Sequence, residues 1–331
     1  MTNANSRRNN RAPSAPVWRM AAGSVLLGFV LALSAGAQTI NPGIIDPTNT
    51  YAGKSYSEWA AGFWQYYMSL PATNNPFHRS GPYPDAPLST GQSGPVWFMI
   101  GNYLPDGTYA YTDTIPGGVA LFTGVTANAG DNAGCPPTAY PESVLRAMAK
   151  SGEDEATDMT VTIDVVAVVG LTNVLTTPYR VQSPTFSYTC PAVHNVLYDV
   201  FDLTCYQNGS GRRYTNSGVV LDGVFLMITP LSAGKHTIHG TWAFPAFSLS
   251  GSWTRNLTVL PVALTVDAST QPGSLVLSWP QTPDNYAVQT SPNLSPPDWQ
   301  PANLVVTTNS GILQATAPVG PTNRFFRLRL N

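Results

Sequence analysis

Glycine and proline set the length of every regular element this chain can form. There are 28 glycines and 30 prolines in 331 residues, about one residue in six. Proline breaks a helix interior and glycine weakens one, so long helices are confined to the few stretches free of both. Elsewhere the chain is cut into short apolar or alternating runs. These are residues 95–101, 118–125, 159–169, 179–189, 219–229, 236–244 and 253–260. In the third run Met159, Val161, Ile163 and Val165 fall on one face and Thr160, Thr162 and Asp164 on the other, the two-residue period of a half-buried strand. Short strands punctuated by Gly/Pro turns predict a mainly β fold, a β-sandwich of jelly-roll or Ig-like type over residues 38–260.

Two helices interrupt this pattern, near residues 55–70 and 141–151. Ser55 and Glu58 form an S-x-x-E capping box, which satisfies backbone donors at a helix start. Trp59, Phe63, Tyr66, Tyr67 and Leu70 then share one helical stripe, and Pro71 ends it. That stripe is expected to pack on a sheet, with an exposed platform for sugars as the sharper alternative. In the second helix Pro141 suits the first helical position and Glu142 and Arg146 sit four apart. Leu145, Met148 and Ala149 are expected to face inward, and Gly152 to stop the helix.

Residues 1–37 read as a secretory signal peptide. A leader with Arg7, Arg8, Arg11 and Arg19 and no acidic residue precedes the apolar run from Val25 to Leu33, which ends at Ser34-Ala35-Gly36-Ala37. Cleavage near Ala37 would leave 12 cations against 18 anions. Only 10% of the chain is charged, against about 25% in ordinary domains, so no basic face for nucleic acid can be assembled. No later stretch is apolar enough to span a membrane. The expected location is extracellular or on the cell surface, where disulfides persist. Of three cysteines, Cys190 and Cys205 flank a short segment and are the expected pair, with Cys135 left over.

The texture changes near Leu260. Leu275, Leu277 and Trp279, then Tyr286 and Val288, then Phe326, Leu328 and Leu330 give alternating strands. Together with Leu294, Trp299 and Phe325 they carry a resemblance to the short fibronectin-III-like module at the C-terminus of many secreted bacterial proteins. It covers residues 261–331 and implies a spacer or surface-association role. The preceding part resembles an uncharacterised family of exported, β-rich bacterial proteins. The shared pieces are GKSYSEWAAGFWQYYMSLP, GQSGPVWFMIG, LRAMAKSGED, YRVQSPTFSYT and PLSAGKHTIHG. The resemblance implies export and a β-rich fold and brings no activity with it. This chain departs from the pattern over residues 127–141 and 193–216, which read as remodelled loops.

Candidate chemistry is sparse. Gly91-Gln92-Ser93-Gly94-Pro95 is similar to a nucleophile elbow, with Pro95 in place of the last glycine and no strand before Ser93. A Ser93, Asp222 and His236 or His239 triad follows hydrolase chain order. His236 and His239 are three apart and face opposite ways in a regular strand, which argues against a shared metal. Glu153 and Glu155 with Asp154 and Asp158 form the one acidic cluster; Asp154, Glu155 and Asp158 are the candidate Ca²⁺ ligands, without EF-hand spacing. Trp59, Trp64 and Trp97 are candidate ligand-binding aromatics. No P-loop, G-x-G-x-x-G or H-E-x-x-H occurs. The expected function is a secreted, non-catalytic protein that binds polysaccharide or the cell envelope. The alternative is a secreted hydrolase of esterase or glycosidase type.

Overall fold

The capping box and aromatic stripe of residues 55–70 do form a helix, α1 (Tyr56–Ser69), in a computed structural model that describes residues 41–77, 86–100, 107–206, 213–268, 273–282, 286–309 and 311–330. The leader read as a signal peptide lies outside the described residues. Glu58 Oε2 accepts from Ser55 N at 2.8 Å while Ser55 Oγ accepts from Glu58 N at 3.3 Å. Beyond the stripe, Tyr56, Ala60, Trp64 and Met68 are buried as well, so α1 is apolar almost all round.

The strands before residue 200 are β1 (Val96–Ile100), β2 (Gly107–Ile115), β3 (Ala120–Asp131), β4 (Thr157–Ile163), β5 (Val166–Ala167), β6 (Arg180–Gln182) and β7 (Phe186–Cys190). After it come β8 (Tyr214–Ile228), β9 (Gly234–Phe244) and β10 (Leu249–Val259). One sheet has the order β1-β3-β8-β6, with β7 also paired to β8; the other runs β2-β10-β9-β4-β5. Both are mixed, because β1 runs parallel to β3 and β2 parallel to β10.

The two sheets form a β-sandwich. Leu121, Val125, Val224, Leu226 and Ile228 of the first meet Met159, Val161, Ile238, Trp253 and Leu257 of the second. The outer face of the first sheet carries Phe122, Leu221, Phe225 and Met227, which pack under α1 and the short helix α3 (Val196–Asp199). The molecule therefore has a helical layer outside the sandwich, as the stripe of α1 required. One buried ion pair lies in the second sheet. Arg255 Nη1 donates to Asp113 Oδ2 at 3.1 Å, and each side chain is 1% exposed.

The second helix, α2 (Glu142–Glu153), departs from its sequence reading in three ways. Pro141 is its N-cap rather than its first residue. Met148 is exposed, and the inward stripe is Leu145, Ala149 and Glu153. Gly152 does not stop the helix. A Cβ there would sit 2.6 Å from Asn128 Oδ1, so glycine is what lets α2 lie against β3. Residues 159–169, read as one strand, fold back at Asp164–Val165 into the β4–β5 hairpin, and residues 179–189 divide into β6 and β7.

The disulfide joins Cys135 to Cys205, with Cα atoms 5.7 Å apart, and corrects the expected Cys190–Cys205 pair. Cys190 points from β7 into the core beneath α1 and is fully buried, whereas Cys205 is exposed beside the loop holding Cys135. Proximity along the chain misled because strand alternation turned one of the two thiols inward.

C-terminal strands β11 (Thr265–Asp267), β12 (Ser274–Pro280), β13 (Tyr286–Ser291), β14 (Gln300–Pro301), β15 (Val306–Asn309), β16 (Ile312–Pro318) and β17 (Phe325–Leu330) make two small sheets, β11-β12-β16-β15 and β14-β13-β17. Leu277, Trp279, Val288 and Ala315 form their shared core. Residues 40–331 constitute one compact unit.

Candidate functional site

Two strands of the second sheet repeat the same three-residue pattern: Gly240-Thr241-Trp242 on β9 and Gly251-Ser252-Trp253 on β10. The antiparallel register places Gly251 opposite Trp242 and Gly240 opposite Trp253. A Cβ on Gly240 would fall 2.6 Å from the Trp253 ring, and one on Gly251 would fall 2.9 Å from the Trp242 ring. Each indole thus lies over the partner strand's glycine, a cross-strand pairing that fixes large rings on a sheet surface.

Opposite them, β3 contains a bulge. Gly124 pairs with Phe225 and Thr126 with Val224, so Val125 is the extra residue. The bulge reverses the strand's alternation. Ala120 and Phe122 face the helical layer before it, and Ala127 and Ala129 after it. Thr126 and Asn128 are thereby turned toward the end of α2. β1 pairs with β3 from Val96–Ala120 to Ile100–Gly124, and beyond Gly124 β3 has, among the described residues, a strand partner on the β8 side alone.

Between these features lies a cavity of about 210 Å³. Its walls are Phe63 and Trp64 from α1, residues 124–128 of β3, and Trp242, Phe244, Phe247, Leu249 and Trp253 from β9, β10 and the turn joining them. Trp242, Phe244 and Phe247 form a connected aromatic wall, with centroid spacings of 5.8 and 6.3 Å. It climbs from buried Trp242 to Phe247, which is 55% exposed at the rim. Among the described residues no charged side chain lines the cavity. The indole Nε1–H of Trp64 is buried and has no hydrogen-bond partner, an uncommon deficit for a tryptophan.

The polar floor of the cavity is held from behind by Glu153, which is completely buried. Asn128 Nδ2 donates to Glu153 Oε2 at 3.0 Å, and Glu153 Oε1 makes a very short hydrogen bond with Thr126 Oγ1. Burial pushes the Glu153 carboxyl up to about 8, opposed by these two hydrogen bonds and aided by the negative charge of Asp222. Thr126 Oγ1 donates to Glu153 Oε1 and lies 3.4 Å from Met159 Sδ, and it is burial that favours the neutral acid.

The structure brings one of the sequence-nominated aromatics to this site, Trp64. Trp59 donates its Nε1–H to Tyr51 O at 3.0 Å under the Lys54 ammonium, and Trp97 packs between the sheets. The repeated G-x-W pattern was the available signal for Trp242 and Trp253, and the sequence reading passed over it.

The nominated catalytic residues do not converge. Ser93 is exposed in the loop before β1, and neighbouring Gln92 clamps Phe98 through both backbone groups. Asp222 is buried against Arg180 Nε at 2.8 Å and Gln182 Nε2 at 3.2 Å, so its partner is a guanidinium rather than a histidine. His239 Nδ1 meets Thr254 Oγ1 at 3.0 Å across the β9–β10 ladder. His236 Nδ1 pairs with Asp164 Oδ2 at 2.6 Å. Asp154, nominated for Ca²⁺, is bound by Lys150 Nζ at 2.5 Å and Arg180 Nη1 at 2.8 Å. Glu155 and Asp158 are exposed, and Asp158 accepts from Thr157 Oγ1 at 3.2 Å. Among the described residues no three His, Cys, Asp or Glu side chains gather to hold a metal. No helix among them is long and apolar enough to cross a membrane.

No protein-family model matches the chain, and no curated protein matches it. Among solved structures, a chain of the crystal structure of ICOS in complex with ICOS-L and an anti ICOS-L VNAR domain is 12% identical. It covers 67% of this chain and 94% of its own, with a TM-score of 0.20. A structure described as BspA_C_WT is 10% identical and covers 65% of this chain and 85% of its own, with a TM-score of 0.16. At these TM-scores neither likeness bears on function.

Proposed function

We propose that the protein is exported and binds extracellular polysaccharide, seating one sugar ring in the aromatic cavity. The observation that carries this reading is the cavity's composition, which among the described residues has three tryptophans, three phenylalanines, no charged side chain and the unpartnered Trp64 N–H. A pyranose presents apolar C–H faces that stack on such rings, and hydroxyls that pair with the indole N–H, Thr126 and Asn128. The basic leader followed by an apolar run, the disulfide and the fibronectin-III-like C-terminal residues support an extracellular, surface-associated location.

A single ring of about 12 heavy atoms, at about 0.3 kcal/mol per atom, corresponds to a Kd of about 2 mM. Intrinsic tryptophan fluorescence, titrated with a panel of neutral mono- and oligosaccharides, tests this directly. A saturable change with at least one glycan is expected, weakened tenfold or more by Trp242→Ala in a variant with an unchanged circular dichroism spectrum. A flat response to the whole panel at concentrations well above that Kd would overturn the reading.

A further inference from the structure

A second group of side chains lies at the opposite end of β9, outside the cavity. His236 Nδ1 contacts Asp164 Oδ2 at 2.6 Å, and His236 Nε2 contacts Ser232 Oγ at 3.2 Å. These are the two contacts that define a nucleophile, its base and the carboxylate that orients the base. We infer that Ser232, His236 and Asp164 form a nucleophilic site for carboxylic esters with a short apolar acyl group. The inference stands independently of the cavity and its ligand.

The carboxylate is firmly placed. Asp164 Oδ1 accepts from Thr237 N at 2.8 Å, and Asp164 N donates to Thr237 O at 2.8 Å. With Nδ1–H committed to Asp164, the neutral imidazole presents Nε2 as an acceptor to the Ser232 hydroxyl. The Ser232 carbonyl oxygen is nearer, at 2.9 Å, and accepts from Nε2–H, so this ring orientation is the one that holds the proton after its transfer, and Ser232 Oγ is the partner that donates when Nε2 is unprotonated. Asp164 and Val165, with φ of 48° and 66°, are the two central residues of the hairpin turn, whose favoured form has positive φ at both, though Val165 is a rare β-branched residue there. Val165 and Val166 beside it are 92% and 49% exposed, an apolar surface beside the carboxylate. Ser232 is partly exposed in the bend between β8 and β9.

The chemistry balances without a further reactant. Ser232 Oγ attacks the ester carbonyl carbon while its proton passes to His236 Nε2. The C–O bond to the alcohol breaks, and the leaving oxygen takes the proton from His236. Water then attacks the acyl-serine, delivering a proton to His236 that returns to Ser232 Oγ as the acid departs. Ser232 and His236 are the catalytic residues, and Asp164 is a positioning residue. General-base assistance of this type contributes about 10²–10⁴-fold.

Sequence logic nominated Ser93 for such a role, so the two serines compete in one experiment. The intact chain is treated with a fluorophosphonate, the modified peptide is mapped by mass spectrometry, and p-nitrophenyl butyrate hydrolysis is followed in parallel. The expected label is on Ser232. Ser232→Ala and His236→Asn are expected to lose hydrolysis by about 10²-fold or more, and Asp164→Asn to slow it with a changed pH profile. Thermal unfolding establishes that each variant is folded, and labelling of the unsubstituted chain needs no variant at all. A folded, unsubstituted protein without label on Ser232, or equal labelling after His236→Asn, would overturn the assignment.

Discussion

Replacing Glu153 by glutamine should change the pH dependence of stability more than stability itself. Glu153 is raised from 4.5 to about 8 in the folded chain, and each unit is worth about 1.4 kcal/mol, so holding its proton contributes about 5 kcal/mol. The sign follows from the direction of the shift. Below pH 4.5 both folded and unfolded chains carry the proton and the contribution is complete. As pH rises toward about 8 the unfolded chain releases it first, so stability falls, and above that value the contribution is gone. Glutamine mimics the neutral acid. Its oxygen can accept from Asn128 Nδ2 as Glu153 Oε2 does, and its amide N–H can donate to Thr126 Oγ1, so both neighbours keep a partner. Urea unfolding of both proteins at matched pH cancels every other titration common to them. The stability of Glu153→Gln minus that of the parent should rise by about 1.4 kcal/mol per pH unit, or about 3 kcal/mol between about pH 5.5 and about pH 7.5. Parallel stability curves over that window would show that Glu153 is ionised in the folded state and would refute the neutral-acid description.

Three further expectations follow. Burial and the nearby Asp131 carboxylate push the Cys190 thiol up to about 12, so the native, unreduced chain should not react with a thiol reagent at neutral pH, whereas the urea-unfolded chain should show one reactive thiol; prompt labelling of the native chain would contradict the burial. Cys135→Ala opens a bridge between residues 70 apart and should lower stability by about 4 kcal/mol, read from the shift of the urea midpoint. Gly240→Ala places a methyl group against the fully buried Trp253 ring and should cost about 1–3 kcal/mol and weaken any glycan response; an unchanged melting temperature would mean the indole has room to move.

What could be read from the sequence was whatever local chemistry decides. Ser55 and Glu58 sit three residues apart and satisfy one another, and the stripe from Trp59 to Leu70 needed only an apolar surface, so α1 appeared within a residue of its expected bounds. What could not be read depends on residues distant in the chain. Gly152 carries the usual signature of a helix stop and is overruled by Asn128, 24 positions earlier. The Asp164–Val165 turn has no glycine or asparagine to announce it, and Asp164 is held there by Thr237 on another strand. Glu153 reads in the sequence as one of four clustered acids, and the inward stripe of α2 and the bulge in β3 enclose it. The two halves of the disulfide lie 70 residues apart, in residues 127–141 and 193–216, a separation that spacing alone does not reveal. For the site, Trp64 was legible as an aromatic on α1, while the cavity depends on β9 and β10 being neighbours in one register.

The parallel pairing of β2 with β10 also imposes an order in time. Gly107 lies beside Gly251 and Ile115 beside Val259, so a chain emerging from its N-terminus presents β2 about 140 residues before its neighbour exists. Long-range pairing of this kind forms late. Until then β2 is an unclaimed strand carrying Tyr109, Tyr111 and Ile115. Asp113 lies two residues from its end, and a charge in a waiting strand discourages pairing with the wrong chain. When β10 arrives it brings Arg255, which meets that carboxylate and covers the Tyr111 ring at 4.2 Å. The buried ion pair then acts as a latch: the residue that keeps β2 unpaired while it waits is the one that recognises its rightful neighbour.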